Sequence, residues 1–201
     1  IHSRRSRPKH IFIDTQIIAD APDKYLWAGI GDTMAKHYEC TVSSRGDTPA
    51  HSDAMGIALS SMCAVPMLRC GEKALADCRA HKVTDELTEV ILGIIVSTGL
   101  VSNFVQVDYT TGLAHAVYNG FTVLKSTEEN HHLHGEVVSY GILVLLTVDK
   151  QYEEREKVFN FKPLQWVCRQ SSATFTQLPT MSELLPRKRS RASMFANIPM
   201  K

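Results

Sequence analysis

The chain has 201 residues, of which 44% are hydrophobic and 21% charged, proportions typical of a globular and not of a disordered protein. A formal net charge of +1 gives no overall field to attract nucleic acid or a membrane surface, so neither is expected as a partner. The five cysteines are odd in number and have no CxxC spacing, which indicates reduced thiols and a cytoplasmic protein.

The first predicted element is a short strand over residues 10–18, with Ile11, Phe12 and Ile13 at its centre. The rest of the sequence has hardly any strand signal, and a lone strand leaves its backbone hydrogen-bonding groups unpaired. The strand therefore needs a sheet that the sequence does not supply. We interpret residues 1–19 as the end of a domain that is otherwise missing.

A helix is predicted from about residue 21 onwards. Gly29 and Gly31 are expected to interrupt this helix, so that a second helix begins at Asp32. A polar loop at residues 41–50 is expected to follow.

Helical composition or helical spacing of apolar residues predicts further helices along the chain: 52–80, one that begins at Thr84, 112–121, 135–148 and 151–158. Pro66 is expected to kink or break the first of these, because proline lacks an N–H and clashes with the preceding turn. The longest nearly apolar run, residues 90–101, is shorter than the roughly 20 residues of a transmembrane helix. A polar loop is predicted at residues 125–130, and residues 161–201, which lose the helical period, are interpreted as an irregular tail.

Three side chains could form a metal centre: Asp32, His115 and His134. One carboxylate and two imidazoles suit zinc or ferrous iron, and three protein ligands leave a coordination position open for catalysis. On one unbroken helix the two histidines would lie about 28 Å apart, but the loop at 125–130 allows a helical hairpin that brings them together. Spacing alone leaves other readings open, since His115 could be a core residue, His134 an exposed loop residue and Asp32 a helix cap.

Three segments in this order resemble glycerol dehydrogenase and its relatives in the metal-dependent alcohol dehydrogenase superfamily: DTQIIADAPDKYLWAGIGDTMAKHYE, GLAHAVYNGFT and HHLHGEVVSYGILVLL. The resemblance covers residues 10 to about 160 and is nearest to the branch that acts on hydroxy acids or related small hydroxy compounds. It implies a mainly α fold, the helical bundle domain of dehydroquinate synthase-like and iron-containing alcohol dehydrogenases. Residues 20–160 would be this metal-binding domain, and residues 1–19 would end a missing Rossmann-like nucleotide-binding domain.

The resemblance also implies that Asp32, His115 and His134 hold the metal and act in catalysis through it. The iron-dependent branch has a fourth ligand, a histidine, four residues after the aspartate. Here that position is Lys36, a poor ligand while it is protonated, so zinc is favoured over iron. His37 should point elsewhere on the helix. His131 or His132 could orient a metal ligand through a hydrogen bond, but both are interpreted as solvated side chains.

The activity that the resemblance implies is NAD- or NADP-dependent, metal-assisted oxidation or reduction of a small polyol, alcohol or hydroxy acid. The metal would bind the substrate hydroxyl as a Lewis acid. Gly29-Ile30-Gly31 is not a GxGxxG motif, so this chain supplies no dinucleotide site and is expected to be nearly inactive alone. A possible homo-oligomer is a further expectation.

Other hypotheses remain open from the sequence. One is a non-catalytic truncated relic, or a metal-binding helical module. Another is chemistry like that of dehydroquinate synthase, against which Asp32 argues because those enzymes normally have glutamate at the first ligand position. The loss of helical period after residue 161 motivates the hypothesis of a disrupted reading frame, which sequencing of the gene would test.

Overall fold

The computed structural model describes residues 10–123 and 132–161. Within these ranges every regular element is helical: α1 Thr15–Asp20, α2 Asp23–Ser43, α3 His51–Leu59, a 3₁₀ turn Ser60–Cys63, α4 Val65–Arg79, α5 Asp85–Leu92, a π-helical segment Gly93–Ser97, α6 Thr98–Phe104, α7 Val107–Thr110, α8 Leu113–Phe121, α9 His134–Val148 and α10 Tyr152–Asn160. The mainly α fold is therefore confirmed. The predictions for residues 125–130, for His131 and for the tail from residue 162 onwards lie outside the described residues.

The strand predicted over residues 10–18 is wrong. Residues 10–14 have no regular structure, and α1 begins at Thr15. Asp14 caps α1, because its Oδ1 accepts hydrogen bonds from the backbone N–H groups of Gln16 at 3.0 Å and Ile17 at 3.4 Å. With no partner strand in the described part of the chain, this cap outweighs the β propensity of the apolar residues before it.

The predicted interruption of the second helix is also wrong, because α2 runs unbroken through Gly29 and Gly31. These glycines are places of close packing. A Cβ atom on Gly31 would lie 2.5 Å from the carbonyl oxygen of Gly135 in α9, and one on Gly29 would lie 3.2 Å from Ile94 Cδ1. Asp32 is consequently an interior residue of α2 and not a helix cap.

Two predicted helix boundaries are confirmed. Pro66 lies in the first turn of α4, after the 3₁₀ turn, where its missing N–H has no intrahelical partner to lose. Thr84 caps α5, since its Oγ1 accepts a hydrogen bond from the backbone N–H of Leu87 at 3.2 Å. The same hydroxyl donates to Asp77 Oδ2 at 2.7 Å, which ties the start of α5 to the end of α4.

The main core lies between α2, α4, α5 and α9, and its largest fully buried side chains include Ile30, Met34, Met67, Leu87 and Ile142. A second cluster contains Cys40, Cys63, Val101 and, from α7, Tyr109. Four cysteines are free and buried: Cys40, Cys63, Cys70 and Cys78. Cys168 lies outside the described residues.

Two helical stretches, residues 51–79 and 85–104, are long and apolar enough by length and composition to cross a membrane. The first is broken by the 3₁₀ turn and the second by the π-helical segment. Both bury side chains such as Met67 and Val90 in the core. Core helices of globular domains meet the same criterion, so the expectation of no membrane partner stays a prediction.

Replacing Thr84 with alanine is expected to lower the free energy of unfolding by about 1–2 kcal/mol, because α5 loses its cap and Asp77 loses a hydrogen-bond donor. Urea denaturation followed by circular dichroism measures this. The matched control is Thr88→Ala. The Thr88 hydroxyl donates only to the backbone oxygen of Thr84, a bond that contributes little to helix stability. Equal losses in the two variants would contradict the capping role.

Candidate metal centre

Three helices bring the predicted ligands together: Asp32 from α2, His115 from α8 and His134 at the start of α9. The Oδ1 atom of Asp32 lies 3.3 Å from Nε2 of His115 and 3.3 Å from Nε2 of His134. One potential ligand atom from each of the three side chains lies within 4.8 Å of the others. This is the grouping that the sequence proposed.

Close helix packing produces this convergence. α9 packs most extensively against α2 and α8. A Cβ atom on Gly135 would clash with the backbone oxygen of Ala28 in α2 and would lie 2.6 Å from its carbonyl carbon. A Cβ atom on Gly141 would lie 2.5 Å from the backbone oxygen of Ala114 in α8. Because Ala114 and Gly135 are next to His115 and His134, these contacts set the positions of both histidines.

The distances between the candidate ligand atoms fit a divalent cation. Asp32 Oδ1 is buried and, among the described residues, has no hydrogen-bond partner, although it lies close to two imidazole nitrogens. A buried carboxylate oxygen without a partner is costly, so its position needs an explanation. Two ligand atoms about 2.05 Å from a tetrahedral zinc ion lie about 3.3 Å apart, the separation that both histidines have from Asp32.

The charges within the group are strongly coupled. Burial alone would raise the pKa of Asp32, but the two histidines outweigh burial and hold this pKa well below its usual range. Burial alone would lower the pKa of His115, but Asp32 and Glu39 outweigh it and raise the pKa to about 9. A metal ion must displace the imidazolium proton of His115 in order to bind, so metal binding releases a proton here.

Access to the group is asymmetric. The side chain of His115 is 12% exposed, whereas those of Asp32 and His134 are 36% and 42% exposed. The ring of Tyr118 meets that of His134 edge-on, with the ring centroids 4.2 Å apart, and so supports the exposed imidazole. Among the described residues, the more exposed side of the group is therefore that of His134.

The neighbours of Asp32 on α2 do not join the group. Lys36 Nζ donates to the backbone oxygen of Thr110 at 3.5 Å, and His37 Nδ1 lies 3.0 Å from Ser60 Oγ. The prediction that His37 points elsewhere is confirmed. Within the described residues the candidate ligand set is therefore the three side chains.

Sequence reasoning missed the carboxylates around the centre. Glu39 is fully buried, and its Oε2 lies 2.6 Å from Nδ1 of His115. Glu136 accepts a hydrogen bond from the backbone N–H of Leu133 at 3.2 Å, and its Oε2 lies 3.0 Å from Nδ1 of His132. The prediction of a solvated His132 is therefore wrong. Glu39 lies seven residues after Asp32, within the helix predicted to begin at Asp32, and this spacing of about two helical turns is the signal that could have found it.

The chain is similar in sequence to curated dehydrogenases. The chain is 38% identical to hydroxycarboxylate dehydrogenase A of Escherichia coli (strain K12) over 135 residues, which are 67% of this chain and 37% of that protein. It is 36% identical to glycerol dehydrogenase of Citrobacter freundii over 162 residues, 77% of this chain and 42% of the relative. The chain thus spans about two fifths of the length of these curated relatives. No model of a protein family matches it.

Two solved structures resemble the fold. A probable glycerol dehydrogenase from Sinorhizobium meliloti 1021 aligns with a TM-score of 0.63 and 27% identity, over 76% of this chain and 43% of that one. Glycerol dehydrogenase from Schizosaccharomyces pombe aligns with a TM-score of 0.59 and 24% identity, over 75% of this chain and 39% of that one, a likeness of fold alone. The helical architecture, with the sequence identity to named glycerol dehydrogenases, shows that the chain belongs to the glycerol dehydrogenase-like group of the metal-dependent alcohol dehydrogenase superfamily, where it corresponds to the helical C-terminal domain.

Proposed function

We propose that the protein carrying this chain interconverts a small polyol or hydroxy acid and its carbonyl form, with NAD or NADP as hydride partner. In this proposal the chain contributes the metal centre. The observation that carries it is the buried Asp32 Oδ1, which lies 3.3 Å from two imidazole nitrogens and accepts no hydrogen bond within the described part of the chain. The printed names of the relatives, hydroxycarboxylate dehydrogenase and glycerol dehydrogenase, support the substrate class.

Asp32, His115 and His134 would hold the ion. The set favours zinc, because Lys36 stands at the position of the fourth ligand of iron-dependent enzymes and its ammonium group donates to a backbone oxygen. Bound there, a divalent cation supplies Lewis acidity toward the hydroxyl oxygen of an alcohol. Asp32 contributes the only negative charge among the ligands, so the three side chains only partly neutralise a divalent ion.

The chain's own side chains also determine orientation and access. His115 lies at the closed side of the centre and is fixed by Glu39, while His134 lies at the open side against the ring of Tyr118. A substrate that approaches past His134 would meet the ion at the position that three ligands leave free. The buried free cysteines fit a reducing compartment such as the cytoplasm.

Turnover by the natural protein that carries this chain tests the proposal. The assay measures oxidation of glycerol or of a small 2-hydroxy acid through the accompanying reduction of NAD or NADP. This activity should require a metal, should fall when the metal is chelated and should return when zinc is added. Asp32→Asn is expected to lower kcat/KM by roughly 10³-fold, since Lewis-acid stabilisation is worth several kcal/mol and each 1.36 kcal/mol is a factor of ten.

The control for this experiment is Asp85→Asn, at an exposed carboxylate in the first turn of α5, which should leave kcat/KM unchanged. Turnover that resists both chelation and Asp32→Asn would exclude the metal mechanism. A metal that binds stoichiometrically without any turnover would instead identify a non-catalytic metal-binding protein.

A further inference from the structure

Glu39 is a fully buried carboxylate on α2, seven residues after Asp32. Seven residues are about two helical turns, so both carboxylates lie on the same face of α2. That face meets the start of α8. Glu39 Oε1 accepts the backbone N–H groups of Gly112 at 2.9 Å and His115 at 3.0 Å.

These two hydrogen bonds supply a helix cap from another helix. Gly112 has no side chain with which to cap α8, and the first N–H groups of a helix have no intrahelical partners. A carboxylate at that end is also favoured by the helix dipole. Capping, however, uses only Oε1 of Glu39. The second oxygen, Oε2, lies 2.6 Å from Nδ1 of His115, within the range of a short charge-assisted hydrogen bond.

The two nitrogens of the His115 imidazole therefore face carboxylates of a single helix, and only the one at Nδ1 is hydrogen-bonded. Asp32 Oδ1 lies 3.3 Å from Nε2, and Glu39 Oε2 lies 2.6 Å from Nδ1. A neutral imidazole can bind a metal only through the nitrogen that carries no proton. A proton held on Nδ1 by Glu39 leaves the lone pair of Nε2 directed at the group formed with Asp32 and His134.

We propose that Glu39 is the positioning residue of the metal centre, which fixes His115 in the tautomer that binds a cation through Nε2. This inference rests on the proposed metal site, and Glu39 itself is not a ligand. The hydrogen-bond partners of metal-binding histidines generally fix the tautomer and the ring orientation, and their replacement costs roughly 10- to 100-fold in metal affinity.

The substitution Glu39→Gln tests the proposal because it separates the two functions of the side chain. The amide oxygen can still accept the N–H groups of Gly112 and His115, so the cap on α8 is retained. The amide nitrogen only donates, and it would face Nδ1 of His115. The variant thus favours the tautomer with its proton on Nε2, which cannot bind the cation there.

The measurement is the zinc affinity of the 201-residue chain, by competition with a chromogenic chelator, together with imidazole nitrogen-15 NMR shifts. We expect a roughly 10- to 100-fold weaker affinity for Glu39→Gln. In the zinc-loaded parent chain, His115 should have its proton on Nδ1. Asp77→Asn is the control, because Asp77 is also a buried carboxylate that accepts side-chain hydrogen bonds, but between α4 and α5.

Zinc affinity equal to that of Asp77→Asn, in a Glu39→Gln chain with native circular dichroism, would overturn the proposal. If the variant does not fold, the nitrogen-15 NMR shifts of the parent chain test the proposal instead. A proton on Nε2 of His115 in the zinc-loaded parent chain would also overturn the proposal. A parent chain that binds zinc, and loses it on Asp32→Ala but not on Glu39→Gln, would refute the role of Glu39 while leaving the metal centre in place. A parent chain that binds no zinc would refute the metal centre itself.

Discussion

Zinc should bind to the 201-residue chain at about one ion per chain and should be lost when Asp32 and His115 are both replaced by alanine. The double substitution removes the only anionic ligand and the imidazole that Glu39 holds in place. Of the three ligands it leaves only the imidazole of His134, whose side chain is 42% exposed. The loss of affinity should therefore exceed the roughly 10- to 100-fold that hydrogen-bond partners of ligands contribute. Metal analysis of the purified chains by mass spectrometry measures the stoichiometry.

The chain provides a matched control for this experiment. His81 Nδ1 lies 3.4 Å from Asp20 Oδ1, so these residues form another histidine–aspartate pair, but an exposed one without a third ligand among residues 10–123 and 132–161. Asp20→Ala/His81→Ala should keep the zinc of the parent chain. Equal zinc content in the parent and in the Asp32→Ala/His115→Ala variant would place the ion elsewhere and refute the assignment of these ligands.

Local patterns were sufficient to predict much of the fold. Thr84 and Pro66 mark the starts of helices by mechanisms that act within one turn, and both predictions are confirmed. The predicted grouping of Asp32, His115 and His134 matches their convergence in space, although spacing alone could not distinguish a ligand from a core histidine or a helix cap. The resemblance to a known family made that grouping specific.

The two wrong predictions of secondary structure, the strand over residues 10–18 and the break in α2, have different physical causes. The apolar residues Ile11 to Ile13 have β propensity, but propensity for a strand depends on neighbouring strands, whereas the cap that Asp14 provides is local. In α2, Gly29 and Gly31 were interpreted as helix breakers. Glycine costs only about 1 kcal/mol within a helix, and close contact with α9 at Gly31 and with Ile94 at Gly29 offsets that cost. The contact of Glu39 with the start of α8 also depends on tertiary packing, which the spacing of Asp32 and Glu39 along α2 does not predict.

Gly135→Ala should accordingly destabilise the fold and weaken metal binding together. The added methyl group would clash with the backbone of Ala28, which cannot move aside as a flexible side chain can. Overpacking of this kind costs about 1–3 kcal/mol or more, and alanine recovers up to about 1 kcal/mol in helix propensity. We expect a net loss of about 2 kcal/mol, which corresponds to a Tm lower by about 4–8 °C.

The control that isolates the packing effect is Gly99→Ala in α6, where an added Cβ atom meets nothing within 4 Å. That change should raise the stability by about 0.5–1 kcal/mol, because it removes the entropic cost of glycine from a helix without a clash. Thermal unfolding and zinc titration of both variants measure the two effects. Since Gly135 is adjacent to His134, separation of α9 from α2 should move that imidazole away from Asp32 and weaken zinc binding in Gly135→Ala only. Unchanged stability and zinc affinity in Gly135→Ala would mean that the α2–α9 contact does not position the centre.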